Sequence, residues 1–278
     1  MPIPSHSLGI SPCPNDTFIF EALINGRIEA SFKPRLHMAD VEDLNLRSLR
    51  VDLDISKLSI AAVPAILEHY LLLNAGAALG RGCGPLLVAR PGLKSADYSG
   101  ARIAVPGRMT TANLLLSLHG GFKGPREEMV FDRIIPALGS GEADLGLIIH
   151  EGRFTYARHG LSLVLDLGEW WEKEKGLPLP LGVIAVKRAL GADFALKSQA
   201  AVRASLAYAW AHPDAGRAFI ADHAQEMDPV VMRRHIELFV NEYSMNLGDE
   251  GQKAILELLR AGARENGAVL PDFPVFAG

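Results

Sequence analysis

Cysteine is nearly missing from this chain of 278 residues. Only Cys13 and Cys83 occur, far apart, with no C-x-x-C pairing and no histidine at zinc spacing, which argues against a disulfide scaffold and against a metal site. Blocks of lysine and arginine are absent too. A count of 28 basic against 32 acidic residues leaves a formal charge of -4, and an isoelectric point near 6.1 provides no footprint for a nucleic-acid backbone or an anionic membrane. No apolar run approaches the length of a membrane span. The opening Met1-Pro2-Ile3-Pro4-Ser5-His6-Ser7 has neither a basic leader nor a sustained apolar core, so the expectation is a cytoplasmic protein without an export signal. The G-x-S-x-G elbow, the P-loop and a G-x-G-x-x-G after a strand are also lacking, which removes support for serine hydrolase, NTPase and dinucleotide chemistry. With 49% apolar and 22% charged residues the chain reads as an ordinary globular protein whose default partner is a small molecule.

What is present is an alternation of short apolar runs with helical patterns. Strands over 8–11, 32–37 and 52–55 and helices over 17–25, 41–50 and 60–69 make a βαβα rhythm. A strand over 85–90 precedes Pro91-Gly92, where the chain crosses into a second α/β unit. That unit holds strands over 102–105, 129–131, 144–149 and 161–166, helices over 111–119 and 133–138, and a short helix over 170–175. Leu177-Pro178-Leu179-Pro180 cannot be helix interior, and the strand over 182–186 carries the chain back. Helical patterns fill 194–211, 213–223, 229–243 and 250–265. The expected fold is therefore α/β, a two-lobed type II periplasmic-binding-protein-like architecture with a central cleft and a helical C-terminal tail. Lobe I would comprise 1–90 and 184–278, with 91–183 inserted as lobe II. A single doubly wound sheet would give similar alternation. The stretch from Gly80 to Pro85 reads as a tight glycine turn, with a hinge as the alternative.

One histidine stands out. Leu147-Ile148-Ile149 run straight into His150, followed by Glu151-Gly152-Arg153, which puts an imidazole at a strand end, where open α/β sheets bind ligands. A structural histidine bonded to backbone is the competing reading. Ser11-Pro12-Cys13-Pro14 leaves the first strand through a stiff loop, with Asn15, Asp16 or Thr17 available to cap the next helix and its N–H groups available to an anion or hydroxyl. In the second lobe Thr110 and Thr111 open a helix after Pro106-Gly107, two hydroxyls at a helix N-terminus that suit a carboxylate or simply cap. Ser56-Lys57-Leu58-Ser59 follows the strand over 52–55, placing a cation and two hydroxyls at a third strand end. For Lys57 and for Arg153 a salt bridge to a nearby carboxylate is the plainer role. His6, His37, His69, His119, His159, His212, His223 and His235 fall in no ligand spacing and mostly read as surface or capping residues, while Trp170 and Trp171 read as packing the second lobe.

Taken together, the segments S-P-C-P-N-D-T-F-I-F (Ser11 to Phe20), S-K-L-S (Ser56 to Ser59), A-L-G-R-G-C-G-P-L (Ala78 to Leu86), V-P-G-R-M-T-T-A (Val105 to Ala112), G-L-I-I-H-E-G-R-F-T-Y (Gly146 to Tyr156), D-L-G-E-W-W-E (Asp166 to Glu172) and L-P-L-P-L-G (Leu177 to Gly182) closely resemble the 1,4-dihydroxy-6-naphthoate synthase family of the futalosine route to menaquinone. The resemblance implies a two-lobed lyase that needs no cofactor and converts a small-molecule carboxylate, cyclic dehypoxanthinyl futalosine, into 1,4-dihydroxy-6-naphthoate. It implies His150 as the catalytic base, Lys57, Leu58 and Ser59 as one substrate-contacting segment, and Thr110 and Thr111 as the other. Asn15, Asp16, Ser56 and Arg153 remain further candidates for substrate contact. Ser56 stands where Thr also occurs in the family, Cys83 where a smaller or branched residue occurs, and Gly152 where Ser is familiar. A neutral His150 would take a proton from a substrate hydroxyl and start a retro-aldol-like carbon–carbon cleavage. Two other classes compete: the sister chorismate dehydratase, from which the Ser11 and His150 blocks set this chain apart, and a transport-type binding protein without catalysis.

Overall fold

A computed structural model describes residues 3–224, 228–270 and 272–278; Met1, Pro2, 225–227 and 271, all within the expected first lobe, lie outside the described residues. The chain opens with β1 (Ser5–Ile10), α1 (Pro14–Ile24), β2 (Lys33–Met38), α2 (Val41–Leu49), β3 (Ile55–Ser59), α3 (Val63–Ile66), β4 (Tyr70–Leu72) and β5 (Ala78–Gly80). The second unit holds β6 (Leu86–Ala89), β7 (Ile103–Val105), α4 (Thr111–His119), β8 (Arg126–Glu128), α5 (Phe131–Ser140), β9 (Leu145–Ile148), α6 (Gly152–Thr155), β10 (Ser162–Asp166) and α7 (Leu167–Lys175). Then come β11 (Leu179–Lys187) and the helices α8 (Ala192–Ala211), α9 (Arg217–His223), α10 (Pro229–Phe239), α11 (Glu242–Met245) and α12 (Gly248–Glu265).

Two sheets result, one per lobe. The first runs β2-β1-β3-β11-β4, with β5 also on β11, and the second runs β10-β6-β9-β7-β8. β1 pairs in parallel with β2 and β3, and β11 comes back antiparallel to β3, aligning Gly182 with Ser59 and Ile184 with Lys57. Because β6 pairs with β9 and β10, the strand expected to close lobe I belongs to the second sheet. The crossing falls in the Arg81–Pro85 turn, not at Pro91-Gly92, and the return begins at Leu179, before the expected 184.

Other boundaries moved for local reasons. The strand expected over 52–55 is Ile55–Ser59, buried at every residue because it lies between β1 and β11 with α2 packed against it. The expected helix over 60–69 is a short 3₁₀ turn and the four-residue α3, since the chain must extend again for β4, whose Tyr70 donates to Leu53 O at 2.7 Å. The strand expected over 129–131 lies at Arg126–Glu128, and α5 starts at Phe131. The long helix expected over 229–243 breaks where Asn241 forms a capping box with Ser244. α4 matches its expected range, capped by Thr110 and ended by Gly120 at φ 72°.

The largest apolar cluster joins Leu58, Ile60 and Val183 of the first lobe to Leu87, Val105 and Trp171 of the second and to Leu258 of the tail, so the lobes share core at their crossing. Trp171 is fully buried and its Nε1 donates to Pro178 O at 3.2 Å, the packing role expected of it. Among the described residues no helix is long and apolar enough to cross a membrane.

Candidate active site

A cleft of about 710 Å³ opens between the sheets, lined by residues of both. Its floor in the first lobe comes from β3. Alternate residues of a strand face opposite sides, so Lys57 and Ser59 share one face and Ser56 takes the other. Lys57, Leu58 and Ser59 line the cleft; Ser56 does not, because its buried hydroxyl turns away and donates to Lys57 O at 3.0 Å. The segment is thus strand interior instead of the loop after a strand. Gly182 on β11 makes room for it, since a Cβ there would lie 3.2 Å from Lys57 Cε and 3.1 Å from Leu58 O.

α1 starts three residues earlier than expected, at Pro14, where the missing N–H costs nothing. None of Asn15, Asp16 and Thr17 is its N-cap; Cys13 holds that position without a side-chain bond. Asp16 instead closes back on the end of β1. It accepts from Ser11 N at 3.2 Å and Ser11 Oγ at 2.7 Å, from Asn15 Nδ2 at 2.9 Å, and forms an ion pair with Lys57 Nζ at 2.9 Å. Lys57 completes its shell with Gly76 O at 3.1 Å. Both charges are almost wholly buried, so Lys57 serves a carboxylate of its own chain in the way its plainer reading proposed.

The second lobe supplies the opposite wall. Thr110 Oγ1 donates to Gly107 O at 2.8 Å and accepts from Asn113 N at 3.3 Å, while Thr111 Oγ1 donates to Leu181 O at 2.6 Å. Both hydroxyl hydrogens are therefore committed to carbonyls. Helix geometry leaves the first-turn amides of Thr111 and Ala112, two residues that line the cleft, without intrahelical partners and backed by the helix dipole. Arg153 reaches the cleft as well, but its guanidinium clamps Gly84 O and Asp166 Oδ2, the latter at 2.7 Å, while Asp166 Oδ1 caps α7. That clamp holds the crossing turn against α7, where a Cβ on Gly84 would come within 2.2 Å of Gly168.

His150 sits two residues past the end of β9 at φ 55°, the left-handed region that costs a β-carbon residue about 1 kcal/mol or more. Strain of this kind survives only where surrounding structure enforces it. The ring packs edge-on to Phe131, centroids 4.9 Å apart, and its Nε2 is shut from solvent without a hydrogen-bond partner among the described residues. Burial first, and the Lys57 charge to a lesser degree, push its pKa down to about 4 against the opposing pull of Asp16, so the ring is neutral at pH 7.

The sequence reading missed three contributors. His235, taken for a surface or capping residue, is completely buried in the cleft wall; a Val231, His235, Phe239 stripe at i, i+4, i+8 on α10 was the available signal. Glu42 and Asn45 of α2 reach across the cleft mouth. Met109 N donates to Glu42 Oε1 at 2.9 Å, and Asn45 Nδ2 donates to Met109 O at 3.2 Å and to Ser59 Oγ at 3.2 Å. Nothing in their local sequence marks them, because their partners, Met109 in the other lobe and Ser59 on β3, are distant in the chain. Among the described residues no group of three or more His, Cys, Asp or Glu side chains is placed to hold a metal.

Comparison with known proteins fits this geometry. A family model described as menaquinone biosynthesis matches residues 6–264. A 1,4-dihydroxy-6-naphthoate synthase of Thermus thermophilus is 47% identical over 264 residues, covering 95% of this chain and 96% of that one. One from Streptomyces coelicolor is 44% identical, covering 93% of each. The crystal structure of an Archaeoglobus fulgidus protein superposes with a TM-score of 0.88 at 35% identity, covering 95% of this chain and 98% of that one. The ligand-binding component of a Staphylococcus aureus import system does so at 0.74 with 11% identity, covering 98% and 96%, a likeness of fold alone.

Proposed function

The chain belongs to the menaquinone-biosynthesis family, and from that premise we propose how its cleft carries out the reaction. The activity is formation of 1,4-dihydroxy-6-naphthoate, a carbon–carbon lyase reaction on the type II periplasmic-binding-protein fold. The proposed substrate is cyclic dehypoxanthinyl futalosine, a small carboxylate met in the cytoplasm, with neither nucleic acid nor membrane as partner.

The observation that carries the mechanism is the solvent-shielded Nε2 of a neutral His150, unpartnered among the described residues, in a cleft between two lobes. It takes the proton of a substrate hydroxyl; the oxygen's electron pair becomes a carbonyl bond, and the electrons of the breaking carbon–carbon bond pass to the ring that becomes the naphthoate. Aromatisation supplies much of the driving force, so one positioned base carries the protein's share of the chemistry. The substrate carboxylate is held by the amides of Thr111 and Ala112 at the start of α4. Lys57, held by Asp16, and Ser59, held by Asn45, present a fixed polar face opposite, which orients the substrate before reaction. Leu58 contributes apolar floor, and Arg153 keeps the wall beside His150 in place.

Incubating metal-stripped protein with cyclic dehypoxanthinyl futalosine and following the naphthoate by mass spectrometry tests this, with His150→Ala alongside. Product from wild type and a variant that binds but does not turn over are expected. Near-normal turnover by His150→Ala would reject the base assignment, and conversion of chorismate in a parallel incubation would move the reading to the dehydratase.

A further inference from the structure

The cleft holds a second imidazole that the proton transfer above does not use. His235 on α10 is 0% exposed and lies nearly parallel to His150, ring centroids 6.1 Å apart and planes 22° from each other. Its Nε2 lies 2.8 Å from Asn15 Oδ1. The orientation of the Asn15 amide follows from its other end: Nδ2 faces Asp16 Oδ1 at 2.9 Å, and that carboxylate, paired with Lys57 at 2.9 Å, can only accept. Oδ1 must therefore face His235, and an acceptor there requires the hydrogen on Nε2. A run of four side chains, Lys57, Asp16, Asn15 and His235, thus selects one tautomer and leaves Nδ1 as a bare lone pair.

That lone pair is fully buried and has no hydrogen-bond partner among the described residues; the carboxylate oxygen Glu151 Oε2 is 3.9 Å away, beyond hydrogen-bond reach. An acceptor shut away from water and unsatisfied costs about 1–3 kcal/mol unless something donates to it. We infer that His235 is a further substrate-recognition residue, its Nδ1 accepting a hydrogen bond from a hydroxyl of the bound substrate. This rests on the reading of the cleft as the place of hydroxyl deprotonation by His150 and deepens it. A carboxylate has no hydrogen to offer, so His235 admits only the hydroxyl-bearing end of the substrate, and the carboxylate is left to the amide donors of α4. One hydroxylated ring can meet both imidazoles, giving its proton up to His150 and lending one to His235. His235 thereby sets which way round the substrate lies.

Two replacements separate recognition from architecture. Gln in place of His puts an amide donor where Nε2 was and keeps the bond to Asn15 while removing the Nδ1 acceptor. Asn puts an acceptor where Nδ1 was and gives up Asn15. Recognition predicts that His235→Gln raises KM roughly 10- to 100-fold, while His235→Asn stays within a few-fold of wild type. The opposite ranking, or equal KM for both at wild-type level, would overturn the inference. A readout on the native ring covers the case in which neither variant folds. In nitrogen-15 spectra of histidine-labelled protein, Nε2 of His235 is expected protonated and Nδ1 bare; saturating His150→Ala protein with cyclic dehypoxanthinyl futalosine, occupancy checked by calorimetry, is expected to move the Nδ1 resonance toward the hydrogen-bonded range. A protonated Nδ1 in the free protein, no binding, or a resonance unmoved at saturation would each overturn it. Because this spectrum is taken without turnover, it stands apart from failure of the lyase reading, which shows instead as wild type yielding no naphthoate.

Discussion

Acid pH is the sharpest perturbation of this site, because His150, the proposed base, is buried. Moving the His150 pKa from 6.5 to about 4 corresponds to about 3 kcal/mol against its charged form. Two consequences follow with opposite bearing. For catalysis, His150 remains wholly in its basic form down to pH 5, so kcat/KM is expected flat from pH 8 to about 5 and to fall only near 4. For stability the sign is unfavourable on acidification. Between pH 6.5 and 4 the unfolded chain binds a proton at this position that the native chain does not, so stability drops as pH falls through that window and the loss levels off below about 4. Burial together with the facing His150 also depresses His235, in the same direction. The assay is a pH-jump: enzyme held at pH 7, diluted briefly into buffers from pH 3.5 to 8 with substrate, product read by mass spectrometry, and circular dichroism recorded over the same seconds. An inflection of kcat/KM at pH 6 to 7 with the dichroism unchanged would refute the assignment of a buried, depressed His150 as the base.

Three further outcomes are expected. Lys57→Met leaves Asp16 buried without its cation and is expected to cost about 3 kcal/mol in urea unfolding. Adding Asp16→Asn should recover at least half of that loss, and no recovery would refute the ion pair as its cause. At position 150 both Ala and Gly remove the ring, but Gly accepts φ 55° without strain, so His150→Gly is expected about 1 kcal/mol more stable than His150→Ala; equal stability would mean the backbone there is not strained. Gly107 has φ 143° and lies under Glu42, where a Cβ would meet side-chain atoms at 2.5 to 2.8 Å. Gly107→Ala is accordingly expected to lower Tm by roughly 6 to 10 °C and to raise KM more than it lowers kcat, since the same contact positions Met109 and the start of α4.

The pattern of the chain was sufficient for much of this. Alternating apolar runs announced two α/β units, a Thr-capped helix announced α4 to the residue, and an imidazole near the end of an apolar strand pointed to His150 as a residue that lines the cleft. These are local signals, written in periodicity and capping chemistry that a few neighbouring residues specify. Membership of β6 in the second sheet was not legible, because a four-residue buried strand reads the same in either sheet and only its partners β9 and β10 decide. Nor was the register of β3, where three residues of displacement turned an expected loop into the strand that carries Lys57 inward.

The residue types of the site were thus set by the sequence alone: a histidine, a lysine, a threonine pair and the neighbouring asparagine and aspartate. Their roles were decided by tertiary structure. Whether a threonine hydroxyl faces a ligand or gives its hydrogen to Leu181 O depends on a strand 70 residues further on. Whether Lys57 meets a ligand's charge or Asp16 depends on how α1 lies across β3. Whether His235 is a surface histidine or an acceptor in the cleft depends on Asn15, 220 residues away. Hydrogen-bond partners, desolvation and the pKa values that follow from them are properties of surroundings assembled from distant segments, and only the fold brings those segments together.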